Sequence, residues 1–183
     1  MNRYVVLLRA INVGGSKIIK MEELRKIMVM PGLKNIETYI QSGNVIFDAA
    51  ENDKSALREK IEKRLHKSLG YEVETFVRSA ADMKNVVKNN PFGDIRADKT
   101  IQLYIAFLER EAEKEMQDAL LVLENKIDSF HFAGSELYWL CRKGLGESKM
   151  AGSVIEKKLK QKTTLRNWAT TKTLLEKYLP AGS

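Results

Sequence analysis

Asn12-Val13-Gly14-Gly15-Ser16 is a polar, glycine-bearing turn placed directly after an apolar run. Successive backbone N–H groups in such a turn can cradle a phosphate or carboxylate, with a helix N-terminus behind them. The turn lacks the G-x-x-x-x-G-K-[ST] pattern, no Gly-Lys pair occurs in the chain, and G-x-G-x-x-G is also absent, so neither a P-loop nor a dinucleotide fingerprint is present. The plainer reading gives Gly14 and Gly15 only a conformational task, positive φ in a strand-to-helix connection. Arg9 falls in the preceding run, on the face that alternation assigns to Val5, Leu7 and Ile11. A guanidinium on an apolar face needs a partner, either a structural carboxylate or carbonyl or the anion of a ligand. A second turn, Ser42-Gly43-Asn44, carries Gln41 before it, and its polar side chains could orient such an anion. Near the C-terminus, Arg166 and Asn167 follow a Thr163-Thr164 pair, and Ser148 and Lys149 sit in a loop with Gly144, Gly146 and Gly152. Arg166 is the natural second charge partner, and the loop could close over a pocket.

Catalytic constellations are sparse. His66 and His131 do not make a pair of histidines with a carboxylate at ligand spacing, so no metal site is expected. Cys141 ends an apolar run beside Arg142 and Lys143, neighbours that could lower a thiol pKa, yet no base accompanies it. No G-x-S-x-G elbow or S-x-x-K context occurs. No acid, base, nucleophile or cofactor is assigned.

The elements that must position these residues come in two similar series. Tyr4 to Ile11 is apolar on both alternating faces apart from Arg9, as in a strand covered on both sides. Met21, Leu24 and Met28 recur at helical spacing before Pro31-Gly32. Ile36 to Gln41 and Val45 to Asp48 read as a hairpin, and Leu57, Ile61, Leu65 and Leu69 as one stripe of a helix, capped by Asp53 and Gly70. Glu72 to Arg78 is a fourth strand, and Ser79 with Asp82 forms a capping box for a short helix. The order β-α-β-β-α-β is a split, ferredoxin-like unit. In the second half, Ile101 to Glu109 is a strand, and Met116, Leu120 and Leu123 mark a helix. Ser129 to Phe132 pairs with Glu136 to Cys141, and Val154 to Lys160 and Leu165 to Leu179 read as helices. The expected fold is therefore α+β, two ferredoxin-like halves whose sheets join or face each other, the second lacking its final strand and ending in helices. The expected division is 1–90, a linker 91–99, and 100–183.

Leu8-Arg9-Ala10-Ile11-Asn12-Val13-Gly14-Gly15 resembles a bacterial family classed as domain of unknown function 1697. The resemblance runs on through Met21, Leu24, Thr38-Tyr39-Ile40-Gln41-Ser42-Gly43-Asn44-Val45, Ser148-Lys149, and Arg166-Asn167-Trp168 with Thr170, while Ala169 departs from the polar residue expected there. It implies no activity, cofactor or catalytic residue.

With 183 residues, 44% hydrophobic and 30% charged, the chain can bury a core without disulfide or metal. One cysteine suits a reducing compartment, and apolar runs such as Tyr4 to Leu8 fall far short of a membrane span, so a cytoplasmic protein is expected. The formal net charge of +7 is uneven: residues 142–177 carry 10 basic and 3 acidic side chains, whereas 91–141 carry 5 and 10. That stretch is either the wet face of a helix or an anion-facing surface. In a split unit the first and second strands are parallel with the third between them, so the Asn12 turn and the Ser42 turn share one rim. The leading expectation is an anionic or phosphate-bearing small ligand at that rim, held by Arg9, Asn12, Gly14, Gly15, Ser16, Gln41, Ser42, Asn44, Ser148, Lys149, Arg166 and Asn167. The alternatives are a nucleic-acid-binding module using the 142–177 stretch, not favoured because no RNP-like string occurs in a strand, and a purely structural or oligomeric domain.

Overall fold

The protein is described by a computed structural model covering residues 1–15, 17–95 and 100–179. Its first series of elements is β1 (Asn2–Leu8), α1 (Met21–Met28), β2 (Leu33–Tyr39), β3 (Asn44–Ala49), α2 (Lys54–Leu69), β4 (Thr75–Ser79) and α3 (Ala80–Lys88). The second is β5 (Gln102–Leu108), α4 (Lys114–Leu121), β6 (Asp128–Ala133), β7 (Glu136–Cys141), α5 (Gly152–Leu159), β8 (Thr163–Asn167) and α6 (Trp168–Thr173), followed by a π-helical turn, Leu174–Tyr178. Two four-stranded antiparallel sheets result, ordered β2-β3-β1-β4 and β6-β7-β5-β8. The architecture is α+β with two ferredoxin-like halves.

The second half has the final strand that the sequence reading denied it. Leu165, Trp168, Leu175 and Leu179 mimic a helical stripe, but Thr163, Thr164 and Arg166 pair with β5 as a strand, and the helix starts only at Trp168. Two β-branched threonines and a row of N–H groups open on β5 outweigh the spacing. The repeat is therefore complete, and its register is conserved to the residue. Val5 faces Arg78 on β4, and Ile105 faces Arg166 on β8. Leu8 N donates to Gly43 O at 2.8 Å, and Leu108 N to Ser135 O at 2.9 Å.

Chain contacts divide the protein into two compact units, Met1–Lys84 with the segment from Leu174 onward, and Asn85–Thr173. Part of the expected linker, residues 96–99, lies outside the described residues, as does Ser16. In the first unit Tyr4, Val6 and Leu8 of β1 pack with Leu24, Met28, Phe47, Leu57, Ile61 and Leu65 into one core, while Val5 and Leu7 on the other face of β1 are also fully buried. In the second unit Leu108, Leu120, Phe130, Trp139, Ile155 and Leu159 do the same. The π-helical turn rejoins the first unit: Tyr178 O accepts Arg3 Nε at 3.2 Å, and its ring lies 5.2 Å from that of Tyr39.

The expected caps form. Asp53 accepts Ser55 N at 2.8 Å and Gly70 closes α2 at φ 77°. Ser79 N donates to Asp82 Oδ2 at 2.8 Å while Asp82 N donates to Ser79 Oγ at 3.1 Å, a reciprocal capping box. Burial pushes the Asp82 carboxyl up, but hydrogen bonds from Lys54 and Ser79 and the Lys54 charge hold it below its ordinary value.

Candidate functional site

The rim predicted from strand order exists. β1 and β2 are both antiparallel to β3, which lies between them, so the exit of β1 and the tip of the β2–β3 hairpin meet at one edge. Asn12 is the clamp. Its Nδ2 donates to Gln41 O at 2.8 Å and to Ile19 O at 3.1 Å, and its Oδ1 accepts Ile19 N at 2.8 Å. One side chain thus ties the loop after β1 both to the hairpin tip and to the strand-like approach to α1. Gly43 lies against Ile11: a Cβ there would stand 2.9 Å from Ile11 Cγ1 and 3.1 Å from Leu8 Cβ.

The loop itself is unusual in its dihedral signs. Ala10, Asn12 and Gly14 have φ of 54°, 54° and 59°, and Gly15 and Lys17 follow at 74° and 48°. Left-handed backbone costs an L-residue about 1–2 kcal/mol, so Ala10 and Lys17 hold it only because tertiary bonds impose it. These sign changes end the two-residue alternation of β1, which corrects one assignment. Ile11 is not on the face of Val5 and Leu7; it turns into the core of Tyr4, Val6 and Leu8. Ala10, Gly14 and Gly15 are exposed, and among the described residues no acceptor meets their N–H groups.

Sequence-chosen residues of the first unit gather here. Arg9 donates from Nη1 to Glu74 Oε2 at 3.3 Å, and its backbone N to Glu74 O at 3.0 Å. Gln41 is exposed. Asn44 is fully buried and donates to Tyr39 O at 2.8 Å and to Ser42 Oγ at 3.2 Å, bracing the hairpin turn.

Ser148, Lys149, Arg166 and Asn167 belong to the second unit, each with its own setting. Arg166 is a β8 residue, 5% exposed; its Nη1 donates to Thr164 Oγ1 at 2.9 Å and Leu165 O at 2.8 Å. Burial pulls its pKa down to about 10, which leaves it charged at neutral pH. Asn167 Oδ1 accepts Thr170 N at 2.8 Å and so caps α6. Ser148 donates to both carboxylate oxygens of Asp128 at 2.9 Å and accepts Met150 N at 2.9 Å, which pins its glycine-bearing loop. Lys149 is exposed.

Sequence reasoning missed two buried charges. Asp128 is 1% exposed, accepts Trp139 Nε1 at 2.8 Å, and has only neutral donors around it. Arg78 is 7% exposed and occupies the β4 position that Arg166 occupies in β8, donating to its own preceding carbonyl, Val77 O, at 3.1 Å. Aligning Thr75-Phe76-Val77-Arg78 with Thr163-Thr164-Leu165-Arg166 would have found it. Cys141 also differs from expectation. Burial, then the neighbouring Asp128, push its thiol above the ordinary value despite N–H donors from Lys143 and Gly144. Cationic neighbours that point into water cannot offset a dry, carboxylate-lined site.

Among the described residues no group of three His, Cys, Asp or Glu could hold a metal ion, and no helix is long and apolar enough to cross a membrane. No curated protein matches the chain. The solved structure of a conserved bacterial protein from Streptococcus pneumoniae is similar, at 27% identity and a TM-score of 0.75, over 98% of this chain and 99% of that one. Residues 1–138, which include the whole rim, match the family described as protein of unknown function (DUF1697), and the chain belongs to it.

Proposed function

We propose that the protein binds an anionic small molecule, phosphate- or carboxylate-bearing, at the rim of the first unit. The observation that supports this reading is the set of exposed N–H groups at Ala10, Gly14 and Gly15, which have no acceptor among the described residues. Backbone donors left open along one loop can meet an anion without any side-chain charge. The Asn12 clamp holds the loop in place before a ligand arrives, so little ordering entropy opposes binding. Arg9 lies at the base of the loop with Glu74, and an arriving carboxylate or phosphate would share its guanidinium, which offers five donors. Gln41 and Ser42 flank the tip. Arg166, committed to Thr164 and Leu165, is not needed by this reading, nor are Ser148, Lys149 and Asn167. The position of Ser16 is outside the described residues.

The test uses one position and two residues of nearly equal size. Gly14 has open space around it and a left-handed φ that Asn and Asp tolerate best. Gly14→Asp adds a negative charge among the donors; Gly14→Asn does not. Melting temperatures are measured with inorganic phosphate, phosphomonoesters and small carboxylates. The reading expects a saturable rise in the parent and in Gly14→Asn, and its loss in Gly14→Asp. A parent that no anion stabilises, or two variants that respond alike, overturns it. The nucleic-acid alternative predicts instead an oligonucleotide affinity falling steeply with salt.

A further inference from the structure

The internal repeat places a cleft at the same point of each unit, between the flank of the second helix and the entry of the fourth strand. In the first unit Glu62 on α2 accepts Thr75 N at 2.8 Å, and in the second Glu156 on α5 accepts Thr163 N at 2.8 Å. Thr75 faces Leu8 and Thr163 faces Leu108, so the two carboxylates hold equivalent strand starts. The clefts beside them have opposite character. The first is lined by Glu62, Glu72 and Glu74 with Lys63 and His66. The second, about 500 Å³, is lined by Arg110, Lys157, Lys160 and Lys162 with Glu109 and Glu156.

We propose that this second cleft binds a small polyphosphate, a ligand whose adjoining phosphoryl groups carry several negative charges. It is a site apart from the rim, and the proposal does not rest on the reading given for the rim. Three lysines on other helices pair with a carboxylate one turn away, in Glu22–Lys26, Glu59–Lys63 and Lys114–Asp118. No such pair forms at Lys157 or Lys160. Lys157 has Ser153 one turn back, and Lys160 has Glu156, whose Oε1 is already committed to Thr163 N. Gln161 Oε1 likewise accepts Arg110 N at 3.2 Å, which folds the loop after β5 over the groove. Among the described residues Arg110, Lys157, Lys160 and Lys162 have no ion-pair partner, and Lys160 holds a left-handed φ of 51° at the end of α5. Against the two carboxylates of Glu109 and Glu156, these four basic side chains leave the concavity with a positive surplus that an entering anion would offset.

The shape and chemistry select the ligand. A volume of about 500 Å³ is that of a small-molecule pocket rather than a groove tracking a duplex. No aromatic side chain is among its lining residues, so it offers nothing for a base to stack on. The Arg110 fork pairs with phosphate oxygens bidentately and the lysines add point charges, an attraction that grows with the number of negative charges on the ligand.

The experiment is isothermal titration of the full chain with inorganic tripolyphosphate at low ionic strength. Three variants accompany it: Arg110→Gln/Lys157→Gln/Lys162→Gln, Lys63→Gln in the first unit's cleft, and Gly14→Asp at the rim. All altered cationic side chains are exposed, and melting curves without ligand verify that each variant is folded; Lys157→Gln alone stands in if the triple variant is not. The proposal expects one saturable site whose affinity falls by about tenfold or more in the triple variant, the loss of roughly one charge-assisted contact. It expects no change in Lys63→Gln or Gly14→Asp, the second of which separates this site from the rim. Equal binding by parent and triple variant, absence of saturable heat, or tighter binding of a short DNA duplex than of tripolyphosphate at the same residues would overturn it.

Discussion

Asn12 reaches from the loop after β1 to the hairpin tip and donates its amide to Gln41 O at 2.8 Å. With two bonds to the Ile19 backbone, one half-buried side chain closes three backbone groups and keeps a left-handed φ of 54°. Asn12→Ala removes all three bonds and places a residue less suited to that φ. We expect a loss of about 2–4 kcal/mol in urea unfolding. Asn12→Gly, which keeps only the backbone freedom, should recover about 1 kcal/mol of it. Equal stability of the three chains would remove the clamp.

Gly43 and Gly14 both lie in left-handed backbone, at φ 76° and 59°, yet only Gly43 is crowded. A methyl group at Gly43 would meet Ile11 and Leu8, whereas one at Gly14 meets nothing within 4 Å. Gly14→Ala should therefore cost about 1 kcal/mol, the conformational part alone. Gly43→Ala adds overpacking and should cost about 3 kcal/mol or more. Chemical denaturation of the pair separates the two contributions, and similar midpoints would contradict the packing described at the rim.

Ser148 is the tether of the loop between β7 and α5. Without its hydroxyl, Asp128 keeps the indole N–H of Trp139 but loses its closest contact with the loop, and Met150 N loses its acceptor. Ser148→Ala should cost about 1–3 kcal/mol. It should also speed tryptic cleavage at the exposed Arg142, Lys143 and Lys149, because a loop released from its anchor opens more often. Cleavage at the parent's rate would show that the loop is held by other means.

Cys141 is fully buried and its thiol is raised above the usual 9.0. The folded state favours the protonated thiol, so this contribution is fully present below pH 9 and is lost as pH rises through the folded value. Tyr104, raised by burial and by Cys141, works in the same direction. Stability should fall as pH rises above 9, with Tyr104 adding to the fall above pH 10, where Arg166, lowered to about 10, acts oppositely. Cys141→Ala should make that decline shallower. At neutral pH a disulfide reagent should modify Cys141 only at the rate at which the second unit opens; immediate labelling would contradict its burial.

What the sequence carried was mostly local and periodic. Asp53, Gly70 and the Ser79–Asp82 pair announce helix ends because their side chains or their conformational freedom act within one turn. The convergence of the Asn12 and Ser42 turns was legible because strand order alone dictates it. β8 was misread since Leu165 and Trp168 are three apart, and only the open edge of β5 decides that Leu165 belongs to a strand. The pairing of Asp128 with Trp139, the turn of Ile11 into the core and the second unit's cationic cleft depend on distances between elements, which no period encodes.

The closing turn Leu174–Tyr178 has a consequence for biosynthesis. Arg3 and Tyr39 leave the ribosome well before Tyr178, whose carbonyl and ring complete their surroundings. Residues 85–173 must emerge in between, so the N-terminal half waits for its final piece while its neighbour is being made. Nascent chains arrested before Leu174 would hold an unfinished first unit, and the contacts of Arg3 and Tyr39 with Tyr178 form only once Tyr178 has emerged.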